Sequence, residues 1–572
     1  MTKKINPLVS LFRELKRRKV FEAGAFYAAG AWLLVEAVSV VVETYKGPEW
    51  IMQVLVALAF AGFPLALILS WFFKFGQRGI SRDESESPDY QNTVSADAVA
   101  VPGSIAVLPF CNMGAGSDND YFADGLTEVL IAKLAGIQSL RVISRTTIMR
   151  YRETRKSLRQ VGRELQVAHI IEGSVLLSDQ SVQVVVQLID PLTDHHRWAE
   201  TYTRPVQDFI ALLNEIACIV SVEIGARIST AEQERLDSAT PINSKALRAY
   251  LKGRHFFSKR TQPGFQAALQ YFSDAIEQEA DHVPSLVGMG EVFLLQGIYG
   301  SSPAKECFPQ AKNYFAAALR LDDKEYAALS GMAAVKMFFE WDFVSARSIF
   351  QASIAQNPSQ IIGRIGLGDL LVVVGEQQRA MEQIHTALRL NPLDAGVAMN
   401  VGDFLFFGRM YEQAIGQWEK TLGIAEHFVP AYLRLAEAYA FMGESLAAKK
   451  HIDRAMELDS GNIQVLVSAV FVSAVTGDHD KANAQLEKLH TLGAKRYVAP
   501  WVFARAYAAM CDTEKAFEWL DRSINDRHGA VIFLGVNPAF DNIRTQPGFT
   551  DFLDRIGIAD GGGLLAAKTT DL

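Results

Sequence analysis

The sequence predicts a mainly α-helical protein with a two-helix transmembrane hairpin, a small α/β module and an α-solenoid of about eight repeats. Three observations predict it. Two long apolar runs fall within the first 75 residues; short strand and helix patterns follow one another after residue 103; and alanines recur every 34 residues from Ala346. A chain of 572 residues is too long for one hydrophobic core, so several domains are expected.

The hairpin occupies residues 1–75. Residues 20–42 and 50–73 are each about the ~20 residues that a helix needs to cross a bilayer. A signal peptide is the competing reading. Against it, the first run is too long, lacks a small-residue cleavage site and is followed directly by a second run. Arg13, Lys16, Arg17, Arg18 and Lys19 precede the first run, and Lys74, Arg78 and Arg82 follow the second. The connecting ETYKGPEW holds one Lys and two Glu, so the positive-inside rule puts both ends in the cytosol. Tyr45 and Trp50 serve as interfacial anchors, and Gly47-Pro48 as the turn. Gly24, Ala25, Ala28 and Ala29 have the small-residue spacing that lets helices approach, either within the hairpin or in a homo-oligomer. Glu36 is an intramembrane carboxylate, a functional candidate by default, but it lies close enough to the outer end to reach the interface.

Residues 76–103 are polar and rich in Ser, Asp and Pro, with no helical period, and read as a flexible tether. The net charge of −8 divides into +6 over residues 1–19 and −14 over the rest, which argues against nucleic acid as a partner of the soluble part. Four dispersed cysteines form no CxxC pair, so neither a zinc site nor a disulfide framework is expected.

The α/β module spans 104–230. SIAVLPF is a strand closed by a Gly/Ser/Asp/Asn loop, Asp120 opens a helix, LRVISRT is a second strand, and SLRQVGRELQV is a helix. A hairpin turns at Ser178-Asp179-Gln180, SVQVVVQLID reads as a buried strand, and an amphipathic helix closes the module near residue 228. Arg141, Arg145, Arg150, Arg152, Arg155, Lys156, Arg159 and Arg163 put eight positive charges in 23 residues against Glu153 alone. A solvated face explains such a run. The functional alternative is contact with anionic lipid headgroups through Arg145, Arg150, Arg152, Arg155, Lys156 and Arg159. Only Tyr151 interleaves the charges, which makes nucleic acid a poor alternative.

The solenoid spans 245–545. Ala346, Ala380, Ala414, Ala448, Ala482 and Ala516 are each followed four residues later by Phe350, Ile384, Trp418, Ile452, Leu486 or Leu520. Gly368, Gly402, Ala436, Val470 and Ala504 lie 22 residues after the first five alanines, and Asn357-Pro358 and Asn391-Pro392 punctuate helix ends. Small residues where two helices touch and one large apolar group per repeat are the tetratricopeptide (TPR) pattern. Ala311/Phe315/Ala318 and Ala268/Phe272/Ala275 extend it upstream with insertions. Residues 546–572 supply a capping helix and a loose tail. The inner face of such an array takes a partner segment, and Arg364, Asn400, Asp403, Arg434, Glu437 and Arg505 are candidates to line it.

No Gly-Lys pair, HExxH, GxSxG or kinase signature is present. GLGDLL at Gly366 lacks the last glycine of a dinucleotide loop and sits in a repeat helix. His195-His196 read as turn residues at the start of a strand, with Trp198 in the module core. No catalytic residue, metal site or cofactor is therefore expected.

SIAVLPF, YFADGLTEVL, LRVISRT, GRELQVAHIIEGSV, VVVQLID and RWAETY resemble the TolB-like amino-terminal (FlgO-like) module, except that Asp194 stands where that family has a turn glycine. Its bacterial relatives are often fused to TPR arrays, sometimes behind a winged-helix or cyclase domain. ELKRRKVFEAGAFYAAGAWLLVEA resembles the leader of a membrane-anchored branch. The resemblance implies a multi-pass protein of the bacterial inner membrane, non-enzymatic, with a cytosolic scaffold or signal-relay function. The alternative is a regulatory subunit whose α/β module binds a small ligand or nucleotide.

Overall fold

The computed structural model describes residues 101–114, 120–152, 154, 156–178, 180–237 and 243–558, two short strands before them, and the single helical residues Val35, Val38 and Ala57. The runs expected to form the hairpin at 20–42 and 50–73, with Glu36, lie essentially outside the described residues, as do Arg155 and the tail after 558. Among the described residues no helix is long and apolar enough to cross a membrane. Phe73–Gly76 (β1) pairs antiparallel with Gly79–Arg82 (β2), Gly76 opposite Gly79. The sequence reading gave these residues to a helix end and the tether.

Residues 94–572 form one compact unit. Its α/β part runs β3 (Val101–Val107), β4 (Cys111–Asn112), α1 (Asp120–Ala135), β5 (Arg141–Val142), α2 (Arg145–Ile148), α3 (Leu158–Leu165), β6 (Val167–Leu177), β7 (Ser181–Asp190), β8 (His195–Pro205) and α4 (Phe209–Glu223). The sheet order is β5-β3-β6-β7-β8, with β4 also on β6. β3 lies parallel to β5 and β6, and β6, β7 and β8 form an antiparallel meander. Alternation in β7 turns Val182, Val184, Val186 and Leu188 onto the face packed by α1 and α4. The other face carries Ala106, Leu108 and Ile170 against Ile148, Tyr151, Val161 and Leu165.

LRVISRT is strand only at Arg141–Val142. β5 has two ladder positions on β3, and the chain turns at Ser144 into the helical turn α2. Ser157 and Gln160 form a capping box that starts α3. Asp194 adopts φ +59°, the left-handed conformation that favours glycine, so the substitution keeps the turn at a conformational cost.

Eight helix pairs follow: Ser244–Phe257 with Gln262–Gln278, Val283–Ile298 with Ala304–Leu321, Tyr326–Val335 with Phe343–Gln356, Ile361–Val373 with Gln377–Leu390, Ala395–Phe407 with Tyr411–Ile424, Val429–Phe441 with Ser445–Leu458, Ile463–Val475 with His479–Gly493, and Pro500–Ala509 with Thr513–Asn525. We number them repeats 1 to 8. The periodic alanines all lie in second helices and are fully buried. Phe272, Phe315, Phe350 and Trp418 of the second helices each press on a glycine of a first helix. A Cβ added to Gly402 would stand 2.3 Å from Nε1 of Trp418, and one added to Gly331 would stand 2.2 Å from Phe315. Helix Phe549–Ile556 covers the last pair, with Phe552 edge-on to Phe517 at 5.1 Å.

Candidate functional site

The first helices of repeats 4 to 8 share an inner wall, and the chain beyond repeat 8 turns back to close it. Arg527 donates to the Phe339 carbonyl at 2.7 Å, and its guanidinium lies 4.5 Å from the Trp341 ring centre. Phe533 stacks on Phe407 at 5.3 Å. Arg409 hydrogen-bonds to the Val536 carbonyl and pairs with Asp541 at 2.7 Å. Segment 527–541 thus touches repeats 3 and 5, and a partly open cavity of about 800 Å³ lies between it and the helices. That volume falls in the range of small-molecule and peptide pockets.

A charge network runs along the wall. Arg434 donates from Nε to Asp403 and from a terminal nitrogen to Glu437, both at 3.1 Å. Arg505 reaches the other Glu437 oxygen at 2.7 Å, and the Ser468 hydroxyl donates to that oxygen at 2.5 Å. Burial alone would raise the Glu437 carboxyl, but Arg505 and Arg434 overcome it and hold the group below the usual carboxylate range. Asp403 remains raised, because burial outweighs its single arginine partner. Among the described residues Asp369, beside it, has no hydrogen-bond or ion-pair partner; it is half-buried, and desolvation, reinforced by Asp403, pushes it up to about 8. Nε of Arg505 is buried with no acceptor. His528 stacks on Trp501, and burial lowers its imidazole to about 4, so it is neutral at physiological pH.

Of the residues proposed from sequence, Asn400, Asp403, Arg434 and Arg505 line the cavity, and Glu437 joins them through its pairs. Arg364 does not. It folds back onto the Pro358 carbonyl and Gln383. The reason is register. Asp403, Glu437 and Arg505 share one position of the 34-residue period, and Asn400, Arg434 and Ser468 share another, three residues earlier, hence the same helix face. Arg364 belongs to neither. Asp369 stands 34 residues before Asp403 in the first of these registers, so the repeat itself held the signal that would have found it.

The basic stretch is largely engaged inside the protein. Arg150 donates to the carbonyls of Leu393 (2.9 Å) and Ile424 (2.8 Å), and Arg141 to that of Arg389 (2.5 Å). Thr147 hydrogen-bonds to Asn391, and Leu393 packs on the apolar face of the module. Glu128 of α1 is shared by Arg145 (3.3 Å) and by Arg254 of repeat 1 (2.5 Å), and Arg152 pairs with Asp124. Lys156 pairs with Glu164 at 2.7 Å and Arg159 donates to the Leu192 carbonyl, both remaining exposed. The arginines thus seat the module on the loops that join successive repeats.

His195 and His196 are exposed at the start of β8, and Trp198 is half-buried on that edge strand rather than in the core. Gly366 lies inside a repeat 4 helix against Phe350, a packing position. Among the described residues no group of three His, Cys, Asp or Glu is placed to hold a metal ion.

Residues 101–217 match the family model of the second domain of HilA/YgeH-like transcriptional regulators. The chain is 34% identical over 151 residues to putative adenylate cyclase 3 of Rhizobium meliloti (strain 1021), covering 26% of each protein. It is 24% identical over 185 residues to tetratricopeptide repeat protein 6 of Homo sapiens (32% of this chain, 34% of that one). It is also 21% identical over 233 residues to the TPR repeat-containing protein YpiA of Bacillus subtilis (strain 168), covering 40% and 52%. Among solved structures, Pseudomonas aeruginosa PilF aligns over 36% of this chain and 93% of its own, with 19% identity and a TM-score of 0.29. The chain spans between about a quarter and about half of the curated relatives it matches. Its helical array is a TPR array.

Proposed function

We propose that this chain is a non-catalytic scaffold that holds a segment of a partner protein inside its TPR array. An N-terminal hairpin at 20–42 and 50–73 anchors it in a bacterial inner membrane, with the other parts in the cytosol. The observation that carries the reading is the cavity. Polar residues repeated at two registers of the 34-residue period converge on one wall, where uniform apolar packing would have sufficed for stability. The TolB-like (FlgO-like) module is the relay. Its arginines grip loops of repeats 4 and 5, so a shift of the module bears directly on the helices that line the cavity. Matches to a domain of transcriptional regulators and to part of a putative cyclase support a module that is joined to different outputs. Of the basic stretch, Lys156, Arg159 and Arg163 are exposed and are the candidates to meet anionic headgroups.

Site-specific photo-crosslinking in cells tests the reading. A photoreactive residue at Met399, on the cavity wall, is expected to capture a discrete partner. The same residue at Val344, 72% exposed on a second helix, is expected to capture none. Equal adducts from both positions, or none from Met399, would sink the proposal. Alkaline phosphatase activity from a C-terminal fusion would place the scaffold on the other side of the membrane.

A further inference from the structure

β8 (His195–Pro205) ends the sheet, with β7 on one side and, among the described residues, no strand on the other. Each of its residues except Trp198 and Tyr202 is exposed. An open edge presents a row of backbone N–H and carbonyl groups to any strand that can pair with it, and proteins blunt such edges by recurrent means. Those means are weak here. The strand is 11 residues long, holds no lysine, and has its proline only at the last position. The irregularity in its ladder lies between Leu188 and Ile189 of β7, opposite Trp198 and His196, so Trp198–Pro205 runs in unbroken register. α4 supports the strand from one face, where Arg204 reaches Glu215 at 3.7 Å and Arg197 donates to the Glu223 carbonyl at 3.4 Å.

We propose that β8 is a self-pairing edge, on which a second copy of this chain adds its own β8 antiparallel about a two-fold axis, joining the two sheets into one. The inference goes beyond the scaffold reading and does not depend on it. A two-fold axis normal to the sheet keeps each side chain on its own face, so opposed residues are an even number of positions apart. Two registers then make the fullest use of the regular stretch. The one that pairs Trp198–Arg204 with itself is centred on Thr201; it sets Trp198 opposite Arg204 and matches no opposite charges. The one that pairs Ala199–Pro205 with itself is centred on Tyr202; it sets Glu200 opposite Arg204 twice and Thr201 opposite Thr203 twice. Opposite charges and paired threonines stabilise cross-strand neighbours, so charge selects the second. A register centred on Glu200 would overlap the whole strand, but it sets that carboxylate against its own copy and runs through the irregularity. Glu200 and Arg204 flank Tyr202 on the α4 face, and both have capacity to spare. Glu200 accepts from the Tyr202 hydroxyl at 2.5 Å, and Arg204 is held by the long pair with Glu215, in which each side chain is 44% exposed.

The test uses the full-length chain in detergent and two readouts specific to the strand, because association through the N-terminal hairpin would not depend on β8. In a background with the exposed Cys111 and Cys511 replaced by serine, Thr201→Cys and Thr203→Cys are made singly and co-expressed. Directly opposed positions bring Cβ atoms to about 4.5–5.5 Å, so the co-expressed pair is expected to form a disulfide-linked dimer on oxidation. Either variant alone sets its thiols on the diagonal, roughly 7–8 Å apart, and is expected to give about tenfold less. In sedimentation equilibrium Glu200→Arg or Arg204→Glu, each of which creates two like-charged pairs, is expected to raise the dimer Kd about tenfold. The two reversals together are expected to restore it to within about threefold. A monomeric chain, a disulfide that is absent from the co-expressed pair or equally strong in either variant alone, or association indifferent to the reversals overturns the proposal. Disulfide adducts of Thr203→Cys with a different protein in membranes, and none with a second copy, would give the edge to a foreign strand and overturn it too.

Discussion

Replacing Asp369 by asparagine should stabilise the array, and should do so in a pH-dependent way. The carboxyl rises from an ordinary 3.8 to about 8 in the folded chain, with burial as the main cause and Asp403 as the second. Between those two values the unfolded chain gives up a proton that the folded chain keeps. Rising pH therefore favours unfolding, by about 1.4 kcal/mol per pH unit for this one group. The effect is absent below about pH 4, grows through the neutral range and is constant above about 8. Asparagine does not titrate. The variant and the native chain should therefore diverge by roughly 3 kcal/mol between pH 5 and pH 7, whatever the fixed cost of seating an amide. Opening in a repeat array is local as well as global, so the assay is hydrogen exchange in Ile361–Val373 and Ala395–Phe407 at both pH values, corrected for intrinsic rates. Parallel pH profiles for the two proteins would refute the reasoning, since the carboxyl would then carry an ordinary pKa and no burial penalty.

Three further outcomes are expected. Gly402→Ala drives a methyl group into the Trp418 indole and should cost about 1–3 kcal/mol, seen as a lower melting temperature, whereas Gly423→Ala, in open space on a second helix, should not lower it. Arg505→Ala removes one of two cations from a buried carboxylate and should cost roughly 3–5 kcal/mol at neutral pH. The stability contributed by Glu437 is present above its unfolded pKa and lost as pH falls through its lower folded value, so the deficit of Arg505→Ala in denaturant melts should shrink in acid. Arg150→Ala cuts two charge-assisted hydrogen bonds between module and array and should weaken docking by about 1.5 kcal/mol, read as faster exchange in Leu158–Leu165 with repeats 7 and 8 unchanged.

Much of this was legible in the sequence because the array is built from local rules repeated in register. Ala414, Trp418 and Gly402 are a sterically matched set, and a fixed chain spacing reports a fixed spatial contact. The same property made Asp403, Glu437 and Arg505 recoverable. Arg364 stands outside both registers and folds back onto Pro358 and Gln383. What escaped was every contact whose partner lies far away without periodicity. The basic stretch looked unpaired because its acceptors are Asp124 and Glu128 on one side and the carbonyls of Leu393 and Ile424 on the other. A charge run reads as a surface when its counter-charges sit in other elements. The return of segment 527–541 escaped for the same reason; it is held by Arg527, Arg409 and Phe533 on repeats 3 and 5, with no local pattern to announce it.

That return changes what the array can do. An open solenoid offers a groove along which a long segment could lie, with affinity spread over many repeats. Here Phe533 and the two arginine contacts tie the end of the array to its middle, so the polar wall lines a partly enclosed cavity. An enclosed site strengthens each electrostatic contact by excluding water, and it also raises the cost of any charge left unanswered. Both consequences meet at Asp369. Its carboxyl is half-buried beside Asp403, and protonation, or an amide in its place, relieves the cost. The module grips the loops of repeats 4 and 5 from outside, and the returning segment holds repeat 5 through Arg409 and Phe407. Repeat 5 is thus the element on which the docked module, the returning segment and the charged wall all bear.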